Sequence, residues 1–99
     1  MIKRIVKIEL KSDKIAEFQA IFQESKMKIL GQEGCFHVEL LRCQAPDNIF
    51  FTFSMWESEE ALNAYRKSEL FGSVWPKTKA CFANPAEAWS TTLDDAPWE

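Results

Sequence analysis

The 99-residue chain is poor in the residues that mark many specialised proteins: three glycines, four prolines, three cysteines, one histidine and one tyrosine. Hydrophobic residues make up 46% and charged residues 27%, so disordered, collagen-like and low-complexity classes are excluded. No apolar run approaches the roughly 18–20 residues needed to cross a membrane. The opening Met-Ile-Lys-Arg-Ile-Val-Lys is broken by charge too often to be the apolar core of a signal peptide. Cys35, Cys43 and Cys81 are odd in number and widely spaced, which fits neither a disulfide framework nor a Cys-x-x-Cys metal knuckle. Free thiols without an export signal lead to the expectation of a reducing cytoplasm. Twelve basic against fifteen acidic residues give a net charge of −3, which lacks the electrostatic footprint of a nucleic-acid binder. One histidine cannot build a zinc site, and no glycine-rich phosphate loop is present, so no metal or nucleotide cofactor is indicated.

What the chain does have is aromatic bulk, with eight Phe and four Trp. A domain of this size buries only roughly 60–65% of the surface its unfolded chain exposes. Each large apolar side chain left in water forgoes about 1.5–3 kcal/mol. The surplus therefore lines a pocket or meets a second subunit, and both are expected.

Residues 2–10, IKRIVKIEL, alternate with period two, placing Val6, Ile8 and Leu10 on one face and Lys3, Lys7 and Glu9, with Ile5, on the other. Ser12 stands where a helix N-cap belongs, with Asp13 adding charge suited to a helix N-terminus. Ile15, Phe18, Phe22, Ser25 and Ile29 then step by three and four, a helix that Gly31 and Gly34 end. Residues 35–43 read as a second strand, with Phe36, Val38 and Leu40 on one face and Cys35, His37 and Glu39, with Leu41, on the other. Turn chemistry over 44–48 leads into a third strand, IFFTFSMW over 49–56, so apolar that both of its faces should be covered. Ser58 caps the next helix, which carries Ala61, Leu62 and Tyr65. The pattern restarts near Ser68 as a short helical piece with Leu70, Phe71, Val74 and Trp75, expected to stop at Pro76. Residues 77–85 are expected to be loop, 86–93 a last strand bearing Trp89, and the acidic tail 94–99 loose at its end.

The order β-α-β-β-α-β predicts an α+β, ferredoxin-like fold: one domain over residues 1–93, with a four-stranded antiparallel sheet and its helices on one face. Those helices cannot cover the sheet's second face. The apolar third strand therefore leads to the expectation of a sheet-to-sheet homodimer.

Gly34-Cys35, the strand that follows, the Pro46-Asp47 turn and above all Trp56-Glu-Ser58-Glu-Glu-Ala61-Leu62 followed by Ser68-Glu-Leu-Phe71 resemble the antibiotic biosynthesis monooxygenase (ABM) domain of the dimeric α+β barrel superfamily. The resemblance spans about residues 2–93. It implies a dimeric barrel whose pocket lies between the sheet and the helices, using the helix after Trp56. Because the superfamily hosts several chemistries, it guides fold better than reaction. The working residues of its haem-degrading branch do not carry over: the first strand has no Asn, and Trp75 stands where that branch places a haem-ligating His.

Tyr65 occupies the position where relatives place His or Trp toward the pocket, and it also lies on its helix's apolar stripe. Its phenol is the candidate catalytic group, able to donate to or accept from a substrate oxygen; alternatively it is a core tyrosine. Trp56, Phe71 and Trp75 are candidate substrate-binding walls for a planar aromatic ligand, or else close the core. His37, with Glu39 two residues on, is a candidate for substrate contact or for the subunit interface. The cysteines lack a neighbouring base or cation that would activate them.

The leading functional expectation is a cofactor-independent monooxygenase acting on a small aromatic or quinol-type molecule with O₂. The alternative is a non-catalytic small-molecule-binding or stress-responsive barrel. A weaker reading, an isomerase of phosphorylated carbonyl compounds, needs cations in the pocket, whereas Arg66 and Lys67 are expected on the outer helix face.

Overall fold

The structure is a computed structural model that describes residues 1–94. Its elements are β1 (Ile2–Glu9), α1 (Ile15–Leu30), β2 (Cys35–Arg42), β3 (Ile49–Trp56), α2 (Glu59–Arg66), α3 (Glu69–Lys79) and β4 (Glu87–Thr91). The strands form one antiparallel sheet in the order β2-β3-β1-β4, so the expected ferredoxin-like α+β architecture is the one observed.

Strand register fixes which side chains share a face. Arg4 pairs with Ser54, Val6 with Thr52 and Ile8 with Phe50, and these point toward the helices. Ile5 pairs with Phe53 and Lys7 with Phe51, and these point away. On the helix side the core divides in two. Ile8, Leu10, Phe18, Phe50, Cys81 and Phe82 form one cluster, and Cys35, Val38, Trp56 and Leu62 the other. The gap between them is where the site lies. On the opposite side Ile5, Phe51, Phe53 and Met55 are only half-buried in the single chain, and Leu41 and Trp89 are 48% and 49% exposed. The expectation that β3 is covered on both faces is met on one face within the chain.

Four local expectations are corrected. Helix α1 begins at Ile15 rather than after Ser12, and its N-cap position, Lys14, makes no side-chain cap. Lys11 donates to the Cys81 carbonyl at 3.0 Å and Lys14 to the Lys11 carbonyl at 2.9 Å, so the chain is pinned beside Cys81 and must turn before the helix starts. Helix α3 runs through Pro76 to Lys79. Gly72, four residues earlier, loses its amide partner there, but Gly72 and Pro76 both face solvent, so water can satisfy that carbonyl. The last strand is shorter than expected, Glu87–Thr91 rather than 86–93. In β2 a register shift between Cys35 and His37 makes Phe36 the extra residue of a bulge. Cys35 therefore turns inward beside Val38, while Phe36 is 54% exposed. Ser58 caps its helix as expected, accepting from the Ala61 amide at 3.1 Å, and Ser68 caps α3 in the same way, accepting from the Phe71 amide at 3.1 Å.

The loop before β2 is held close to α2. Gly34 has φ +81°, and a Cβ there would stand 2.6 Å from the Cβ of Ala61. Its carbonyl accepts from the Glu57 amide at 2.7 Å. A Gly34→Ala change is expected to destabilise the fold by about 1–3 kcal/mol, from the left-handed backbone together with the clash. Chemical denaturation checks this; an unchanged midpoint would show that the loop relaxes freely.

Candidate functional site

A cavity of about 330 Å³ opens between the helix-side face of the sheet and the three helices. Its floor is Arg4, Val6, Thr52 and Ser54; α1 supplies Phe22 and Ser25; Tyr65, Phe71 and Trp75 come from α2 and α3. On the β4 side the wall is Ala86 and Ala88, too small to close it.

Trp56 ends β3 and is 1% exposed, with its indole N–H donating to Ser54 Oγ at 3.0 Å. Its ring stacks on Tyr65, with centroids 4.9 Å apart and planes at 24°. Tyr65 meets Phe71 edge-on at 5.3 Å, and Phe71 stacks on Trp75 at 5.5 Å and 12°. Offset-stacked and edge-to-face pairs of this kind contribute about 0.5–1.5 kcal/mol each beyond the area they bury. The helix spacing makes the row possible: Leu62 and Tyr65 lie one turn apart on α2, and Phe71 and Trp75 one turn apart on α3.

The structure thus brings Trp56, Tyr65, Phe71 and Trp75 together on one cavity. It does not bring His37 there. His37 pairs with Met55 on the far face of the sheet, 3.5 Å from Glu39 and 6.0 Å from the Phe53 ring centroid. Strand parity turns it away from the helices and off the cavity lining, onto the face where the alternative reading, a subunit interface, puts it. Two residues were missed. Arg4 lines the cavity and donates from Nη1 to Ser90 Oγ at 2.8 Å. Arg66, expected on the outer helix face, also lines it. Both had a signal in the sequence. Arg4 shares parity with Val6 and Ile8, and Arg66 lies four residues after Leu62, on the inward side of α2.

The cavity's electrostatics follow from burial. Burial, and secondarily the charge of an ionised Cys35, push the Tyr65 phenol from 10.0 up to about 12. Burial also raises the Cys35 thiol. At neutral pH Tyr65 is therefore a hydrogen-bond donor, not a base, and among the described residues its hydroxyl makes no protein hydrogen bond. Ser25 and Thr78 donate instead to backbone carbonyls of their own helices, at 2.7 and 2.9 Å. Among the described residues no carboxylate or imidazole lines the cavity. Among the described residues no group of three or more His, Cys, Asp or Glu side chains could hold a metal ion. None of the described helices is long and apolar enough to cross a membrane.

Tyr65 is the chain's single tyrosine, so its ionisation can be read alone from ultraviolet absorbance. The expected midpoint is near 12, against 10.0 for the unfolded phenol. Since the folded value is the higher one, this group's contribution to stability is complete below pH 10 and is lost as pH rises toward 12. A midpoint at 10 in the folded protein would place the hydroxyl in bulk water.

Comparison with known proteins places the chain. No curated protein sequence matches it. Among solved structures, a conserved protein from Methanosarcina mazei Go1 superposes with a TM-score of 0.90 at 20% identity, covering 94% of this chain and 92% of that one. A structure described as an antibiotic biosynthesis monooxygenase superposes at 0.87 with 21% identity, covering 98% and 100%. The Rv0793 protein of Mycobacterium tuberculosis superposes at 0.85 with 18% identity, covering 97% and 98%. Likeness at such identities carries the fold. The family model for antibiotic biosynthesis monooxygenase matches residues 1–74, which contain β1 to α2 and Tyr65 itself, and the chain belongs to that family.

Proposed function

We propose that the protein is a cofactor-independent monooxygenase that oxidises a small aromatic or quinol-type substrate with O₂ in the cavity beneath α2 and α3. The observation that carries this reading is the row Trp56–Tyr65–Phe71–Trp75, which gives a planar substrate flat apolar walls beside one neutral phenol donor. Family membership supports it.

In such chemistry the ionised substrate itself supplies electrons to O₂. For a substrate with a reactive CH₂ between aromatic rings, carbon loses two hydrogens and gains one oxygen atom as a carbonyl. The other oxygen atom leaves with those hydrogens as water. The protein's part is to hold the ring, exclude bulk water and donate a hydrogen bond from Tyr65 Oη to the oxygen on which negative charge develops. Among the described residues no strong base lines the cavity, so the substrate must be acidic enough to ionise with the help of that donor.

The same absence of a carboxylate or imidazole favours a second reading, a non-catalytic barrel that binds a small aromatic molecule. Oxygen uptake against hydroquinones and anthrone-like phenols, corrected for autoxidation, separates the two. Saturable uptake is expected, falling about ten- to a hundredfold in Tyr65→Phe through loss of one hydrogen bond to developing charge. Equal rates in both proteins would remove Tyr65 from the mechanism, and no uptake above background would leave the binding reading.

The working unit in this proposal is a homodimer joined through the far face of the sheet. Support comes from its half-buried Ile5, Phe51, Phe53 and Met55, the exposed Leu41 and Trp89, and His37 with Glu39 at the border. Sedimentation should give twice the chain mass for the native protein. Phe53→Lys, which puts a charge amid that face, should shift it toward one chain mass; an unshifted dimer would put the contact elsewhere.

A further inference from the structure

We infer that the ligand carries an anionic oxygen group, a carboxylate or a phosphate monoester, and that Arg4 and Arg66 together bind it at the solvent edge of the cavity. This rests on the reading of the cavity as the substrate's site and narrows the class of molecule that enters it.

The two arginines come from distant parts of the chain, β1 and the last turn of α2, yet line one cavity whose other walls are mostly aromatic and aliphatic. Arg4 is half-buried and Arg66 exposed, so the pair runs from the floor outward. Among the described residues neither guanidinium has a carboxylate within 4.0 Å: the ion pairs there are Lys14–Glu17, His37–Glu39 and Arg42–Asp47. Arg4 gives one N–H to Ser90 Oγ, which orients its plane, and it has four further N–H groups to offer. Burial, and then the charge of Arg66, hold the Arg4 guanidinium below its ordinary value. Two like charges beside low-dielectric walls, in a chain whose net charge is −3, repel each other and focus a positive field into the opening. An oxyanion relieves both costs, and planar guanidinium forks match carboxylate and phosphate oxygens.

The apolar remainder of the ligand then faces Phe22, Tyr65, Phe71 and Trp75. This gives the molecule a direction: anionic group outward, ring inward. Arg66, at the negative end of the α2 dipole, is favourably placed as a cation whether or not ligand is bound. Arg4 has no such support, so its half-buried charge gains most from a bound oxyanion.

Calorimetric titration tests this without turnover, using two matched pairs: 2-naphthoate against 2-naphthamide, and 2-naphthyl phosphate against 2-naphthol. The charged member of at least one pair is expected to bind roughly ten- to a hundredfold more tightly. Whichever pair shows the gap identifies the group as carboxylate or phosphate. The gap should close in Arg4→Met and narrow in Arg66→Met, with the neutral ligands' affinities nearly unchanged. Arg66 is exposed on a helix end, so its variant keeps the test open should Arg4→Met fail to fold. Equal affinities within both pairs, a gap that survives in both variants, or no binding by any of the four would overturn the proposal. Failure of the oxygenase reading looks different: no oxygen uptake, but a charged-ligand preference that the variants abolish. Uptake of neutral hydroquinones with equal affinities in both pairs would instead remove the anion site alone.

Discussion

The stack of Trp56 on Tyr65 is the contact on which the rest of the site depends. It joins the end of β3 to α2 across only the short connection Glu57-Ser58, so the direction in which the chain leaves the sheet is set by two flat rings. Trp56 is anchored from below by its bond to Ser54, and Gly34 lets the β2 loop lie against Ala61 at the start of the same helix. With α2 fixed this way, the Ser68 cap turns the chain into α3, and Phe71 and Trp75 continue the aromatic row above the sheet. The helices are thus held by ring-on-ring contact at one end and by the Cys81–Phe82 cluster at the other. The cavity lies in the space between.

A cavity is costly for so small a domain, because the side chains lining it pack against protein on one side only. The chain accepts that cost on the helix side of the sheet while leaving a second apolar surface on the other. The two faces of β3 therefore do different work: Thr52, Ser54 and Trp56 line the cavity with Phe50 packed in the core beside it, and Phe51, Phe53 and Met55 form the outward surface. Polar residues on the cavity side are few, and two of them, Ser25 and Thr78, are occupied by their own helices. Ser54 accepts from the Trp56 indole, which leaves Thr52, Tyr65, Arg4 and Arg66 to decide what the space will accept.

Much of this was legible in the sequence. The period-two alternation of β1, the three-and-four stepping of α1, the Ser58 cap and the restart of the pattern near Ser68 gave the order of elements, because each rests on local geometry. The aromatic walls were legible for the same reason: Tyr65, Phe71 and Trp75 fall on helical stripes that point inward. The failures are tertiary. The bulge at Phe36 exchanges the faces of Cys35 and Phe36, and no local signal marks an extra residue in a strand. The start of α1 was delayed by bonds to Cys81, about seventy residues away. Pro76 reads locally as a stop, although its missing donor concerns only the exposed Gly72. Arg4 reads as a charged interruption until the sheet shows that it shares the apolar face.

The bulge in β2 and the brevity of β4 have a shared consequence for how the molecule behaves in crowded solution. These are the two outer strands of the sheet, and their unpaired backbone groups would otherwise act as templates for ribbon growth. Phe36 breaks the regular spacing of one rim, and five residues give the other too little length to recruit a further strand. A protein that must display a broad greasy surface is thereby guarded against runaway fibre formation along its rims.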